Sequence, residues 1–185
     1  MSTTDPRPLT DEPLAIDLLN TRWMRDGEVQ DLLTSPTGLA AWLASPGVAS
    51  QLAGLSVRAD AATLDAVLQV RAALYRLVDH PEDTGGRSAL NKVLAHGHVR
   101  HELGPDAPVT RVETDDPVWL PAWTAAESYL RLLDDRPERI RACSGPTCIL
   151  HFYDTSKNGT RRWCSMAACG NRAKARSHYA RSKQG

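Results

Sequence analysis

All four cysteines of this 185-residue chain lie between positions 143 and 169, in the pattern Cys143-x4-Cys148-x15-Cys164-x4-Cys169. Two close pairs separated by a spacer of this length are the layout of a structural zinc site. Zinc takes four soft donors in a tetrahedron. A short turn sets two thiolates on one side, and the returning chain brings the other two. Cys143, Cys148, Cys164 and Cys169 are therefore the expected ligands of one structural Zn2+. Gly145 and Pro146 favour a tight knuckle between the first two. A shell of four cysteines has no need of His151 and leaves no open position for a reacting water, which argues against metal catalysis. Two disulfides would need an oxidising compartment. A redox pair would normally show C-x-x-C beside a βαβ pattern, which is missing.

In the spacer, Ile149–Tyr153 is rich in β-formers, and Asn158-Gly159 suits a type I′ turn. The expectation is a hairpin that returns over Arg161–Trp163, with Phe152 and Trp163 as a small core. So small a module depends on its metal for stability. Beyond Cys169 a helix is expected from about Asn171 to Ser182. Arg172, Arg176, Tyr179 and Lys183 would form one stripe, and Lys174, His178 and Arg181 a second.

The formal net charge is zero, yet residues 136–185 hold eleven Arg or Lys against two acids, Glu138 and Asp154. That stretch carries +9 and residues 1–135 carry −9. Such asymmetry points to a nucleic-acid or acidic partner for the basic part. The bland alternative is a solvated basic face that docks on the acidic half. Arg161, Arg162, Arg172, Lys174, Arg176, Arg181 and Lys183 are the candidate DNA contacts, mostly to phosphate.

The first 135 residues read as a mostly helical domain. Asp60–Asp79 carries apolar residues at helical spacing, as does Pro117–Leu133. Ser35-Pro36 starts a helix over Thr37–Ala44, and Arg87–His96 is a shorter one. His98–Leu103 and Val109–Glu113 alternate around Gly104-Pro105-Asp106 and are expected to pair as a hairpin. Leu14–Trp23 is a dense apolar run that periodicity leaves open between helix and buried strand. Asp17, Asn20 and Thr21 within it are candidates for pocket lining, or for capping and core-edge roles. His96, His98 and His101 cluster in sequence, either as surface histidines or as a second metal site. The polar stretch Asp134–Pro137 sets a boundary between a domain at 1–135 and one at 136–185. No apolar run is long enough to span a membrane, and the N-terminus lacks a secretion-signal pattern. A cytoplasmic protein with residues 1–12 as a loose lead-in is expected.

Arg162-Trp163-Cys164-Ser165-Met166-Ala167-Ala168-Cys169-Gly170-Asn171-Arg172 resembles the CGNR zinc-finger signature, as do Asp154–Gly159 and Ala173–Arg176 on either side. The part with Leu18-Leu19-Asn20-Thr21 resembles the ABATE domain that precedes this finger in bacterial proteins. The resemblance implies a transcription regulator, described for the family as stress-induced. It implies that the four cysteines hold zinc, that the finger binds DNA, and that the N-terminal domain senses a ligand or partner. Asn171 and Arg172 either hold the zinc loop or, for Arg172, touch phosphate. The expected fold is mainly α, with a small β-hairpin in the helical domain and a C-terminal ββα, treble-clef-like finger. The expected function is a non-enzymatic, DNA-binding transcription regulator acting on double-stranded DNA, with a small-molecule effector and a homodimer as further expectations. The rival is a zinc-stabilised interaction or ligand-sensor module that does not bind DNA.

Overall fold

Asp60 caps the longest helix, α4 (Ala61–Asp79), by accepting the Thr63 amide proton at 2.9 Å. Leu64, Val67, Val70, Leu74 and Leu77 are buried along one stripe of α4, which forms the spine of the main core. Asp83 caps α5 (Thr84–Leu94) through the Gly86 amide. A 3-10 turn at Pro117–Trp119 leads into α6 (Leu120–Asp135), whose Ala122, Ala125, Ala126 and Tyr129 face the same core. The computed structural model describes residues 5–175.

The apolar run at 14–23 resolves into both of its readings. Leu14–Leu19 is a short helix, α1, with every residue buried against α4 and α6. The chain then enters β1 (Arg22–Arg25), which pairs antiparallel with β2 (Glu28–Asp31). That hairpin was not expected. Its signal is Asp26-Gly27, with φ of 53° and 85°, the positive pair that a type I′ turn demands. Next come α2 (Pro36–Leu43), capped by Ser35, and α3 (Pro46–Gln51), which begins where Ser45-Pro46 ends α2.

The expected second hairpin is present as β3 (Gly97–Leu103) and β4 (Pro108–Thr114), in register from Gly97↔Thr114 to Leu103↔Pro108. His96 stacks on Trp119 at 3.8 Å and bonds Asp115, while His98 pairs with Glu113 and His101 with Thr110. The three histidines have separate partners and do not converge on a metal site. Among the described residues only the four cysteines form a group that could hold one.

β5 (Ile140–Ala142) pairs antiparallel with β6 (His151–Tyr153). This corrects the hairpin expected around Asn158-Gly159. The Asp154 carboxylate accepts the amides of Ser156 and Arg161, both at 2.9 Å. The segment after β6 is thus looped around one side chain instead of returning as a ladder. Gly159 keeps a positive φ of 62° within that loop. A π turn at Met166–Gly170 follows and runs into helical residues through 175. The remainder of the expected basic helix lies outside the described residues. Among the described residues the architecture is mainly α with three separate two-stranded antiparallel sheets. No helix among the described residues is long and apolar enough to cross a membrane.

Candidate metal centre

The first knuckle closes through the Cys148 amide, which donates to the Gly145 carbonyl at 2.9 Å. A Cβ on Gly145 would lie 3.0 Å from the Cys148 Cβ and 3.1 Å from the Cys169 Sγ. Only glycine lets the turn approach the sulfurs this closely. On the return side, Ser165 accepts the Ala168 amide at 3.0 Å and winds the π turn that delivers Cys169.

The four sulfurs lie within 4.8 Å of one another. Cys148 and Cys164 are 3.8 Å apart, and Cys164 and Cys169 are 3.5 Å apart. A tetrahedron with Zn–S near 2.3 Å has edges of about 3.8 Å. The donor set therefore fits one structural zinc. The Cys143 Sγ accepts the Gly145 and Cys164 amides at 3.4 and 3.2 Å, and the Cys169 Sγ accepts the Arg172 guanidinium at 3.0 Å. Such N–H groups orient metal ligands and spread their charge. The bond with Cys164 draws the Cys148 thiol down to about 5, and the same bond with burial pushes Cys164 up. Thiols packed this closely need a cation to be ionised together.

The core under this site is shared. Leu150 and Phe152 of the finger pack with Trp23 from β1, and Leu9 and Leu32 lie against them. The outer edge of β6 is also served from the N-terminal half. The Asn20 side chain donates to the His151 carbonyl and accepts its amide, both at 2.9 Å. The Glu12 carboxylate accepts the Tyr153 amide at 2.9 Å. These two side chains satisfy the backbone groups that a third strand would otherwise take. Burial raises the Glu12 pKa, against the Tyr153 amide and Arg161 that favour its charge. The lead-in is therefore no loose tail from Asp5 onward. Arg7 is buried, bonding Asp17 at 2.5 Å and Asp5 at 2.7 Å.

Residues 139–182 match the CGNR zinc finger, and residues 12–136 match a family described as "Putative stress-induced transcription regulator", the ABATE family. The chain belongs to the ABATE family. No curated protein matches it.

In this ABATE protein the sequence-predicted pocket residues serve the core instead. Asp17, Asn20 and Thr21 are all 0 % exposed. Asp17 accepts from Arg7 and from Trp42 Nε1 at 2.9 Å, and burial raises its pKa against those bonds. Thr21 donates to the Leu18 carbonyl and accepts from Arg71 at 2.8 Å. Asn20 is the link to β6. Groups so enclosed do not line an open cavity.

The predicted basic contacts divide. Arg161 lies over the Phe152 ring at 4.2 Å and donates to the carbonyls of Trp163 and Cys164 and to Glu12. It is a brace of the finger. Arg172 holds the Cys169 sulfur, and Asn171 bonds the Ala167 carbonyl at 3.4 Å. Arg162, which lies over Trp163 at 5.4 Å, and Lys174 are exposed. Arg176, Arg181 and Lys183 lie outside the described residues. Sequence reasoning missed Trp23 and Glu12, because nothing local in either segment marks it as belonging to a site more than a hundred residues away.

Proposed function

We propose that this ABATE protein is a DNA-binding transcription regulator whose zinc finger anchors on the duplex backbone. One observation carries the reading: the rigid knuckle is followed by chain with no acid at all. From Thr155 to the end the sequence holds no Asp or Glu, and Arg162 and Lys174 are exposed beside the metal site. Arg176, Arg181 and Lys183 continue the run. Arg161 and Arg172 serve the fold, so phosphate contact falls to the other five. A homodimer would supply the specificity that one small finger lacks.

The sensing half of the reading rests on a groove of about 1150 Å³ between the β3–β4 hairpin, α6 and residues 51–55. Val99, Val112 and Leu55 give it apolar wall, and His101, Arg111 and Ser128 give it polar groups. That mix suits a small amphipathic effector.

The test is binding of zinc-loaded protein to labelled duplex over a salt series. Five phosphate contacts give a slope of log K against log salt of about −4 to −5. Arg176→Ala with Arg181→Ala lowers that slope by about 2. No binding at low salt refutes the reading in favour of an interaction module with an acidic protein partner.

A further inference from the structure

The four sulfurs are not equally enclosed. Cys143, Cys164 and Cys169 are 7 %, 3 % and 3 % exposed. Cys148 is the half-buried member. It lines, with the more deeply buried Cys164 and Cys169, a cleft of about 360 Å³ between the tip of the β1–β2 hairpin and the π turn. A water molecule occupies about 30 Å³ in the liquid, so the cleft admits a small reagent. The wall of the cleft carries hydrogen-bond donors as well. Arg172 lines it beside Trp23. A guanidinium beside a thiolate suits the departure of an oxyanion from oxygen.

We propose that Cys148 is the reactive thiolate of the finger, open through this cleft to hydrogen peroxide and small organic hydroperoxides. The Cys148 sulfur attacks one peroxide oxygen. An S–O bond forms, the O–O bond breaks, and the leaving oxygen departs with the electron pair as hydroxide or alkoxide. Cys148 becomes a sulfenic acid. The Cys164 sulfur, 3.8 Å away, then attacks the Cys148 sulfur and expels hydroxide, leaving a Cys148–Cys164 disulfide. Two thiolates lose two electrons in all, and the peroxide O–O bond takes them up. A centre with two of its four donors joined to each other no longer holds its metal. This chemistry is independent of whether the finger binds DNA.

The experiment uses the zinc-loaded full chain. Limiting N-ethylmaleimide followed by peptide mass spectrometry reads which thiolate reacts first. Cys148 is expected to carry at least about five times the label of any other cysteine, reactivity following access and thiolate character. Stoichiometric hydrogen peroxide is then added with a chromogenic zinc chelator present. The expected result is a Cys148–Cys164 linkage that grows in step with zinc release, one ion per chain. Equal labelling of the four cysteines overturns the proposal. So does a first disulfide that omits Cys148, or zinc release that precedes any oxidation of it.

Discussion

Replacing Asn20 with alanine should loosen the finger although the residue lies more than 110 positions from it. The Asn20 amide satisfies both backbone groups of His151 from a site with no solvent access. Alanine leaves a buried N–H and a buried C=O without partners. Each orphan costs about 1–3 kcal/mol, so the loss is about 2–6 kcal/mol. For a chain of this size 1 kcal/mol shifts Tm by about 2–4 °C, which gives a fall of about 4–24 °C. Asn20→Asp sharpens the argument. A carboxylate still accepts the His151 amide, but it sets a second oxygen against the His151 carbonyl and buries a charge. It should be no better than alanine. The assay is urea and thermal unfolding of the zinc-loaded protein, with zinc affinity by chelator competition alongside. Lys92→Ala, an exposed site on α5, serves as control at under about 0.5 kcal/mol. A loss for Asn20→Ala within that control range, or a stable Asn20→Asp, refutes the idea that these bonds replace a strand.

Arg161→Ala should cost about 1–3 kcal/mol of stability, because it strips donors from buried carbonyls and a cation from the Phe152 face, while leaving the salt slope of DNA binding unchanged; Arg162→Ala should do the opposite, lowering that slope by about 1. Zinc removal by chelation should abolish most of the cooperative unfolding of the finger and alter Trp23 fluorescence, since its ring packs on the cysteine cluster. Trp23→Ala should cost about 3–5 kcal/mol and weaken zinc binding, measured by competition titration. Burial lowers the His151 pKa, with Asp79 only partly opposing, so the unfolded imidazole binds its proton more tightly than the folded one. Stability is then full above the ordinary histidine range and falls as pH drops through it; unfolding at about pH 7.5 and pH 6 should show that loss in the wild type and a smaller one in His151→Gln.

Much of the helical half is legible in the sequence because its signals are local. Asp60, Ser35 and the stripe from Leu64 to Leu77 state both the start and the buried face of their helices. The cysteine spacing is equally plain, since the chemistry of one ion constrains four residues at once. Two X-Gly pairs show where legibility ends. Asp26-Gly27 builds a hairpin because the chain on either side pairs in register, Arg25 with Glu28 and Trp23 with Gln30. Asn158-Gly159 does not, because Asp154 takes the amides that a returning strand would have offered to a ladder. The turn signal is the same in both, and the decision lies in partners outside the turn. Asn20 and Glu12 belong to the same class. Each is an ordinary polar residue in its own segment, and its role exists only once β6 lies beside it.

The shared ownership of Trp23, Asn20 and Glu12 has a thermodynamic corollary. The chain leaves α6 at Asp135 and enters β5 at Ile140 through a single 3-10 turn, Pro137–Arg139, so little slack separates the two halves. Any ligand that favoured the packed arrangement of α1 and β1 would raise affinity for zinc, and zinc would raise affinity for that ligand by the same factor. Under the proposed sensing role, metal supply and effector concentration would be two inputs to one equilibrium, and a cell short of either would meet the same loosened protein.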